Sequence, residues 1–315
     1  MIAGMSSNPS SRLDWLLFIL LGFFWGSSYL FIKIGVDAGV QPFTLVALRL
    51  LIGLVLLGVV VAVARESPPG EPKAYAHLAV MGFFSVALPF TLITWAEQSV
   101  DSSLAAVLTG AVPLFTIPFA ALLLGDERFT MNRLVGIVVG LVGVAVVVGF
   151  DPGTLVGSEL AAELALIGAA ASYAVGGVYA RRFVHGLRPM IPALFQVGFG
   201  LVMVGIPALL LERPFERALA PEALFAVVWL GLFGSGLAYL VFFRLLGRWG
   251  ATRTSLVAYL LPIWGIVLGG LVLNEPVDAR LILGTALVIG GIGLVNWRRG
   301  ALTGFRRKQT SAAAE

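Results

Sequence analysis

Apolar runs of membrane-spanning length follow one another along almost the whole chain, with only short polar links between them. A helix needs about 20 apolar residues to cross the hydrocarbon core. Such runs lie near Trp15–Val36, Pro42–Ala64, Tyr75–Gln98, Ser103–Leu124, Leu134–Phe150, Leu160–Phe183, Met190–Leu211, Ala223–Phe243, Thr254–Leu273 and Leu281–Trp297. Their apolarity is continuous rather than alternating, so they read as helices and not as barrel strands. Hydrophobic residues make up 59% of the chain and charged ones 12%, against roughly 45–50% and about 25% in soluble domains. No water-soluble fold could cover so much apolar surface. The expectation is an all-α integral membrane protein of ten transmembrane helices. The first run is too long for the core of a signal peptide and lacks a convincing cleavage site, so it is read as the first span.

Lysine and arginine set the orientation. Arg12, Arg65, Lys73, Arg128, Arg133, Arg181, Arg182, Arg188, Arg244, Arg248, Arg253, Arg298, Arg299, Arg306, Arg307 and Lys308 fall on one side, sixteen of the 21 basic residues. Lys33, Arg213, Arg217 and Arg280 fall on the other, and Arg49 lies within a span. Both termini are therefore expected in the cytoplasm, with 299–315 a basic tail. The net charge of +4 reflects these loops, and nucleic acid is not an expected partner.

The chain also matches itself. From Gly82 to Leu124 a shift of 149 pairs Gly82 with Gly231, Phe84 with Phe233, Leu88 with Leu237 and Pro113 with Pro262. One residue then drops out, and a shift of 148 pairs Glu127 with Glu275, Gly136 with Gly284, Gly143 with Gly291 and Val147 with Val295. The preserved order of proline, acidic turn and glycine run divides the chain into five-span halves, 14–150 and 158–298. Five is odd, so the second half crosses the membrane in the opposite sense. Inverted repeats of this kind are a common plan of secondary transporters, with the substrate site near the midplane between the repeats.

A proline in mid-span frees a carbonyl and bends the helix. In lipid this is tolerated where neighbours, water or a cavity satisfy the freed group. Pro113 and Pro262 are thus the expected marks of the interface between halves, as hinge or gate elements; the alternative is a pair of inherited kinks that only shape packing. Gly110, Gly236 and Gly265 are read as further hinge or gate candidates, points where helices could slide or bend. GxxxG spacing in GIVVGLVG permits close helix approach and is read as packing between or within protomers.

WGSSYLFIKIG in the first span, the proline and arginine of QPFTLVALR, and the proline-acid-glycine order of both repeat ends resemble the EamA domains of the drug/metabolite transporter superfamily. The resemblance covers about Asp14 to Trp297. It implies a ten-span carrier of small metabolites in the cell inner (plasma) membrane, often an amino-acid exporter, and no particular substrate. One departure is Asn274 in LVLNEPV, where the family usually has glycine.

Arg49 is the clearest intramembrane charge, and such residues face a cavity or a partner. It either attracts a substrate carboxylate or ties helices together through backbone carbonyls or Glu97. Lys33 is a gate candidate or a snorkelling side chain, and Glu97 an ion-pair partner or gate. Glu127 and Glu275, on opposite faces, are read as fixing turns and pairing with loop arginines. Trp25, Ser28, Tyr29, Thr94, Trp95, Thr109, Phe115, Tyr173, Tyr179, Gln196, Tyr239, Tyr259 and Trp264 would suit an amphipathic cavity for a small zwitterion; plain packing is the alternative for each. Spans one, three, four, six, eight and nine are expected to line the cavity, with five and ten peripheral.

No acid falls at the centre of a span, so facilitated diffusion is favoured over a proton relay. The absence of cysteine excludes disulfides and thiolate sites. Neither a metal-ligand nor a nucleotide-binding motif is present. The expected partners are a small-molecule substrate and the lipid bilayer, with the protein a monomer or weak homodimer and no cofactor. The functional expectation is export of small metabolites, amino acids first, by alternating access. The alternatives are drug efflux or metabolite uptake on the same fold, and, from another class, an intramembrane enzyme.

Overall fold

The computed structural model describes residues 12–124, 130–149, 158–184, 187–188, 190–214, 216, 218–249 and 251–296. Glu127, Arg128, the 151–157 link and the 299–315 tail lie outside the described residues. Among the described residues nine helices are long and apolar enough to cross a membrane. They are α1 (Arg12–Asp37), α2 (Pro42–Val63), α3 (Pro72–Ala96), α4 (Ser102–Leu123), α5 (Met131–Val148), α6 (Ser158–Phe183), α7 (Met190–Glu212), α8 (Pro221–Trp249) and α9 (Ser255–Val272). A shorter apolar helix, α10 (Ala279–Val295), completes the ten. Each corresponds to one run of the sequence.

Local chemistry fixes several ends. Prolines open α2, α3 and α8, at the one turn where a missing N–H costs nothing. Asn274, the departure from the family pattern, has φ +55°. Asparagine is among the few residues that tolerate the left-handed conformation glycine would supply. The α8 helix continues to Trp249 rather than ending near Phe243. Its last turns bury Leu245, and Arg248 pairs at 3.2 Å with the buried Asp14 of α1.

The two halves are related by an approximate two-fold that the packing displays directly. The α5 and α10 helices pack along their lengths. A Cβ on Gly136 would lie 2.6 Å from the Gly291 carbonyl oxygen, and one on Gly143 2.8 Å from that of Gly284. Gly136 corresponds to Gly284 and Gly143 to Gly291, so each glycine meets the counterpart of the other. That reciprocity is the signature of two antiparallel copies about an axis. The glycines of span five thus serve packing within the chain.

A second repeat-related feature was hidden in the sequence. The α3 helix widens into an i→i+5 turn at Phe83–Ala87, and α8 does so over Leu230–Leu237. Adding 149 to the first stretch falls within the second. Such π-bulges insert a residue into the helix and concentrate at functional sites.

Gly291→Val is expected to lower thermal stability in detergent sharply, because its Cβ would lie 2.5 Å from the Gly140 backbone nitrogen. Gly293→Val, with nothing within 4 Å of its Cβ position, is expected to leave it nearly unchanged. Melting curves of the two purified variants compare them.

Candidate functional site: a cavity at one end and a sealed opposite end

The site is built on α4 and α9, the repeat-related helices that carry Pro113 and Pro262. Both helices are irregular at the same level. In α4 the regular turns stop at Ala111, whose carbonyl accepts from the Leu114 N–H at 2.9 Å. In α9 a tight three-residue-per-turn segment, Ser255–Tyr259, precedes Pro262. The two helices touch through small residues. A Cβ on Gly110 would lie 2.8 Å from Pro262 Cγ, and one on Gly265 2.2 Å from Ala106 Cβ. The proline of one half therefore seats on the glycine of the other.

Beside this crossing opens a cavity of about 430 Å³. Its wall comes from α1 (Trp25), α4 (Pro113, Thr116), α5 (Arg133), α6 (Arg181), α8 (Phe242), α9 (Ser255, Tyr259) and α10 (Ile292, Val295). The α4, α6, α8 and α10 residues lie in the C-terminal parts of their helices, and Arg133, Ser255 and Tyr259 near helix starts. All belong to the end of the bundle where the arginine-rich links gather. Two expectations are corrected here. The α3 helix supplies no wall residue, and α5 and α10 do. The reason is that the α5–α10 pair packs across α4, with Leu114 filling the space over Gly140. This brings Arg133 and Val295 to the opening.

Deeper in the bundle lies a buried polar layer. Arg49 is 3% exposed. Its Nε donates to the Ser235 hydroxyl at 3.1 Å, and its guanidinium lies 4.4 Å from the Phe90 ring centre. Neither a backbone carbonyl nor Glu97 is its hydrogen-bond partner. The widened turn of α8 makes the room: a Cβ on Gly234 would lie 2.9 Å from Ser28 Oγ and 3.0 Å from Arg49 Nη2. The Tyr29 and Thr109 hydroxyls are hydrogen-bonded at 2.7 Å. Tyr173 stacks edge-on to Phe90, and Tyr239 edge-on to Trp25. Trp25 so links the cavity to this layer. Ser28 donates to the Phe24 carbonyl of its own helix, and Gln196 is buried where α7 meets α3 at Gly82.

Other expected cavity residues lie elsewhere. Trp95 is 44% exposed on the outside of the bundle. The Phe83–Ala87 bulge adds a residue upstream of it, and one residue turns a helix face by about 100°. Tyr179 bonds His77 Nδ1 at 2.7 Å and packs on Phe183. It stands six residues from Tyr173, which turns it about 120° away on a helix. Trp264 packs against Phe23 and over Gly26, and Phe115 against the central apolar core. Gly236 packs against Leu56 of α2.

The opposite end is sealed. Glu275, just past α9, reaches across to the first turn of α4. It accepts from the Ser102 N–H at 2.8 Å, from the Ser103 N–H at 2.9 Å and from the Ser103 hydroxyl. Gly269 makes this possible, since any Cβ there would collide with the carboxylate. The expectation that Glu275 pairs with a loop arginine is therefore corrected: it caps a helix of the other half. Glu212 at the end of α7 does the same for α2, accepting from the Phe43 and Thr44 N–H groups at 3.0 and 2.6 Å. A carboxylate at a helix N-terminus gains both charge-assisted bonds and the favourable end of the helix dipole. Lys33 does not snorkel; it pairs with Asp37 at 3.1 Å and donates to the Glu97 carbonyl at 3.0 Å. Glu97 itself is fully buried, and neither carboxyl oxygen has a hydrogen-bond partner. Among the described residues it forms no ion pair.

This architecture matches known proteins throughout. The EamA-like transporter family matches residues 14–149 and again 160–297, one match per half. The chain belongs to the EamA-like transporter family. An uncharacterized transporter of Bacillus subtilis, YoaV, is 25% identical over 273 residues, covering 85% of this chain and 91% of the relative. The uncharacterized inner membrane transporter YedA of Escherichia coli is 31% identical over 247 residues, 78% of each chain. A crystal structure with 23% sequence identity superposes with a TM-score of 0.62, covering 91% of this chain and 98% of the other, which shows the fold to be shared. The protein is a multi-pass membrane protein of a transporter family.

Arg133 and Arg181, counted in the sequence only as topology signals, are wall residues that sequence reasoning missed, as are Thr116, Phe242, Ser255, Ile292 and Val295. Glu275→Gln keeps the shape of the α4 cap and removes its charge. The expected loss is about 1–2 kcal/mol, as for other helix caps, read as a lower midpoint of unfolding in detergent.

Proposed function

We propose that the protein is a secondary carrier of the inner (plasma) membrane that exports small carboxylate-bearing metabolites, amino acids first, by alternating access. The observation that carries this is the cavity of about 430 Å³ between the halves, open at the arginine-rich end while the opposite end is sealed. That end is taken as cytoplasmic, because basic links stay inside. Small-ligand sites run from about 300 to 1,000 Å³, so a metabolite fits without the protein unfolding around it.

The wall chemistry narrows the solute. Arg133 and Arg181 bring guanidinium groups to the wall, whose planar fork of donors matches a carboxylate. Thr116, Ser255 and Tyr259 bring hydroxyls that can donate or accept. Trp25, Phe242 and Ile292 provide an apolar side. A molecule with a carboxylate, a second polar group and a modest side chain satisfies all three.

Transport then follows from the two-fold. The contact of Gly110 with Pro262, and the tight turns beside both prolines, give α4 and α9 matching places to bend. Rocking about them would close the basic end and break the Glu275 cap at the other. Inverted repeats make the two end states near-equivalents, so neither is far from the other in energy.

The test is solute flux in proteoliposomes with a panel of amino acids, nucleosides and cationic drugs. Carboxylated solutes are expected to move fastest. Arg133→Gln and Arg181→Gln are each expected to raise KM for them roughly tenfold, the worth of one hydrogen bond to a charged group, with little change for uncharged solutes. Flux of no solute by correctly folded protein overturns the carrier reading.

A further inference from the structure

The unexplained group is Glu97. It lies just beyond the last turn of α3, at the sealed end, and is fully buried. Both of its carboxyl oxygens lack a hydrogen-bond partner, as does the hydroxyl of Thr94 one turn earlier. The nearest cation does not neutralise it. Lys33 bonds the backbone carbonyl of Glu97 and the carboxylate of Asp37 instead. Burying an ionised carboxylate without a protein donor or an ion-pair partner is costly, and such a group takes up a proton instead.

The surrounding charges point the same way. Glu275 from the α9–α10 link, Asp37 and Lys33 from α1, and Arg49 from α2 all act on Glu97. Asp101 follows four residues later, and Glu159 and Glu163 lie in the first turns of α6, which packs against α3. The two cations are committed: Lys33 to Asp37, Arg49 to Ser235 and Phe90. Partial burial and the Glu275 charge already hold the exposed Asp101 carboxyl above its usual range. Glu275 already accepts three hydrogen bonds at this end, and both described cations that act on Glu97 are engaged elsewhere.

We propose that Glu97 is a proton-binding site that locks the sealed end of the carrier. The carboxyl holds its proton while that end is closed. When the end opens, water reaches Glu97 and its O–H bond breaks, releasing the proton to that side of the membrane. The closed arrangement thus binds one more proton than the open one, and by linkage acid on that side favours closure while alkali favours opening. This lock rests on the carrier reading for its purpose. It needs no proton relay across the membrane and is compatible with facilitated diffusion.

The chain has no cysteine, which makes the test clean. Val100→Cys places a thiol in the sealed end, where Val100 is buried, and Glu222→Cys an exposed reference in a separate sample. Both are labelled with a membrane-impermeant maleimide in proteoliposomes, and the rate at position 100 is divided by that at 222 to remove the thiol's own titration. Between about pH 5 and pH 8 the ratio is expected to climb, at up to about tenfold per pH unit, as one proton leaves. In Glu97→Gln, a permanent mimic of the protonated acid, it is expected to stay low and flat; in Glu97→Asp the pH dependence is expected to persist. A flat ratio in the parent, or an unchanged climb in Glu97→Gln, overturns the proposal.

A second measurement covers the case in which Glu97→Gln does not fold. Infrared spectra of the wild-type protein are expected to show the carbonyl band of a protonated carboxylic acid, lost at alkaline pH and displaced in Glu97→Asp. Absence of that band overturns the proposal equally. Neither experiment uses a solute. A failed flux panel would sink the carrier reading and leave these outcomes intact, and a failed lock would leave the flux untouched.

Discussion

Hydrocarbon offers no hydrogen bonds, so every irregular stretch of backbone in a membrane protein must find its partners inside the protein. That constraint organises this molecule. Its departures from regular helix include the widened turns of α3 and α8, a further i→i+5 turn at Ala208–Glu212 of α7, the break at Ala111, the tight turn at Ser255–Tyr259 and the carboxylate-capped starts of α2 and α4. The two widened turns and the two proline-associated breaks come as repeat-related pairs.

Glycine is the means by which those irregular segments approach one another. Gly110 meets Pro262, Gly265 meets Ala106, and Gly269 leaves space for the Glu275 carboxylate beside Ser103. Read along α9, these contacts form one seam, from the bend near mid-membrane to the capped start of α4. The proline–glycine contact and the carboxylate cap therefore lie on the same pair of helices. The cavity opens on one side of the proline–glycine contact, and the Glu275 cap lies on the other.

Glu97 and Glu275 show how location divides the roles of one residue type. Glu275 accepts three hydrogen bonds and belongs to the fold. Glu97 accepts none in its carboxyl group and sits within reach of the Glu275 charge. Had the two been exchanged in environment, α4 would lose its cap and the sealed end its titratable group.

The sequence by itself determined the ten helices, the duplication and its inverted sense, because apolar run length, an odd span count and a spaced set of prolines and glycines need no tertiary information. It also singled out Pro113 and Pro262; the structure places Pro113 in the cavity wall and Pro262 against Gly110. What it could not supply was rotation and reach. A π-bulge is invisible to hydrophobic periodicity when the whole run is apolar, so Trp95 was turned to the wrong face. Tyr179 is apolar enough for any face, and only packing against His77 placed it. Arg133 and Arg181 looked like loop charges because sequence shows which side of the membrane a residue is on, not how near it stands to a cavity. The three bonds of Glu275 to α4, and the lack of any to Glu97, depend on side chains more than 170 residues apart. Only the folded chain brings them together.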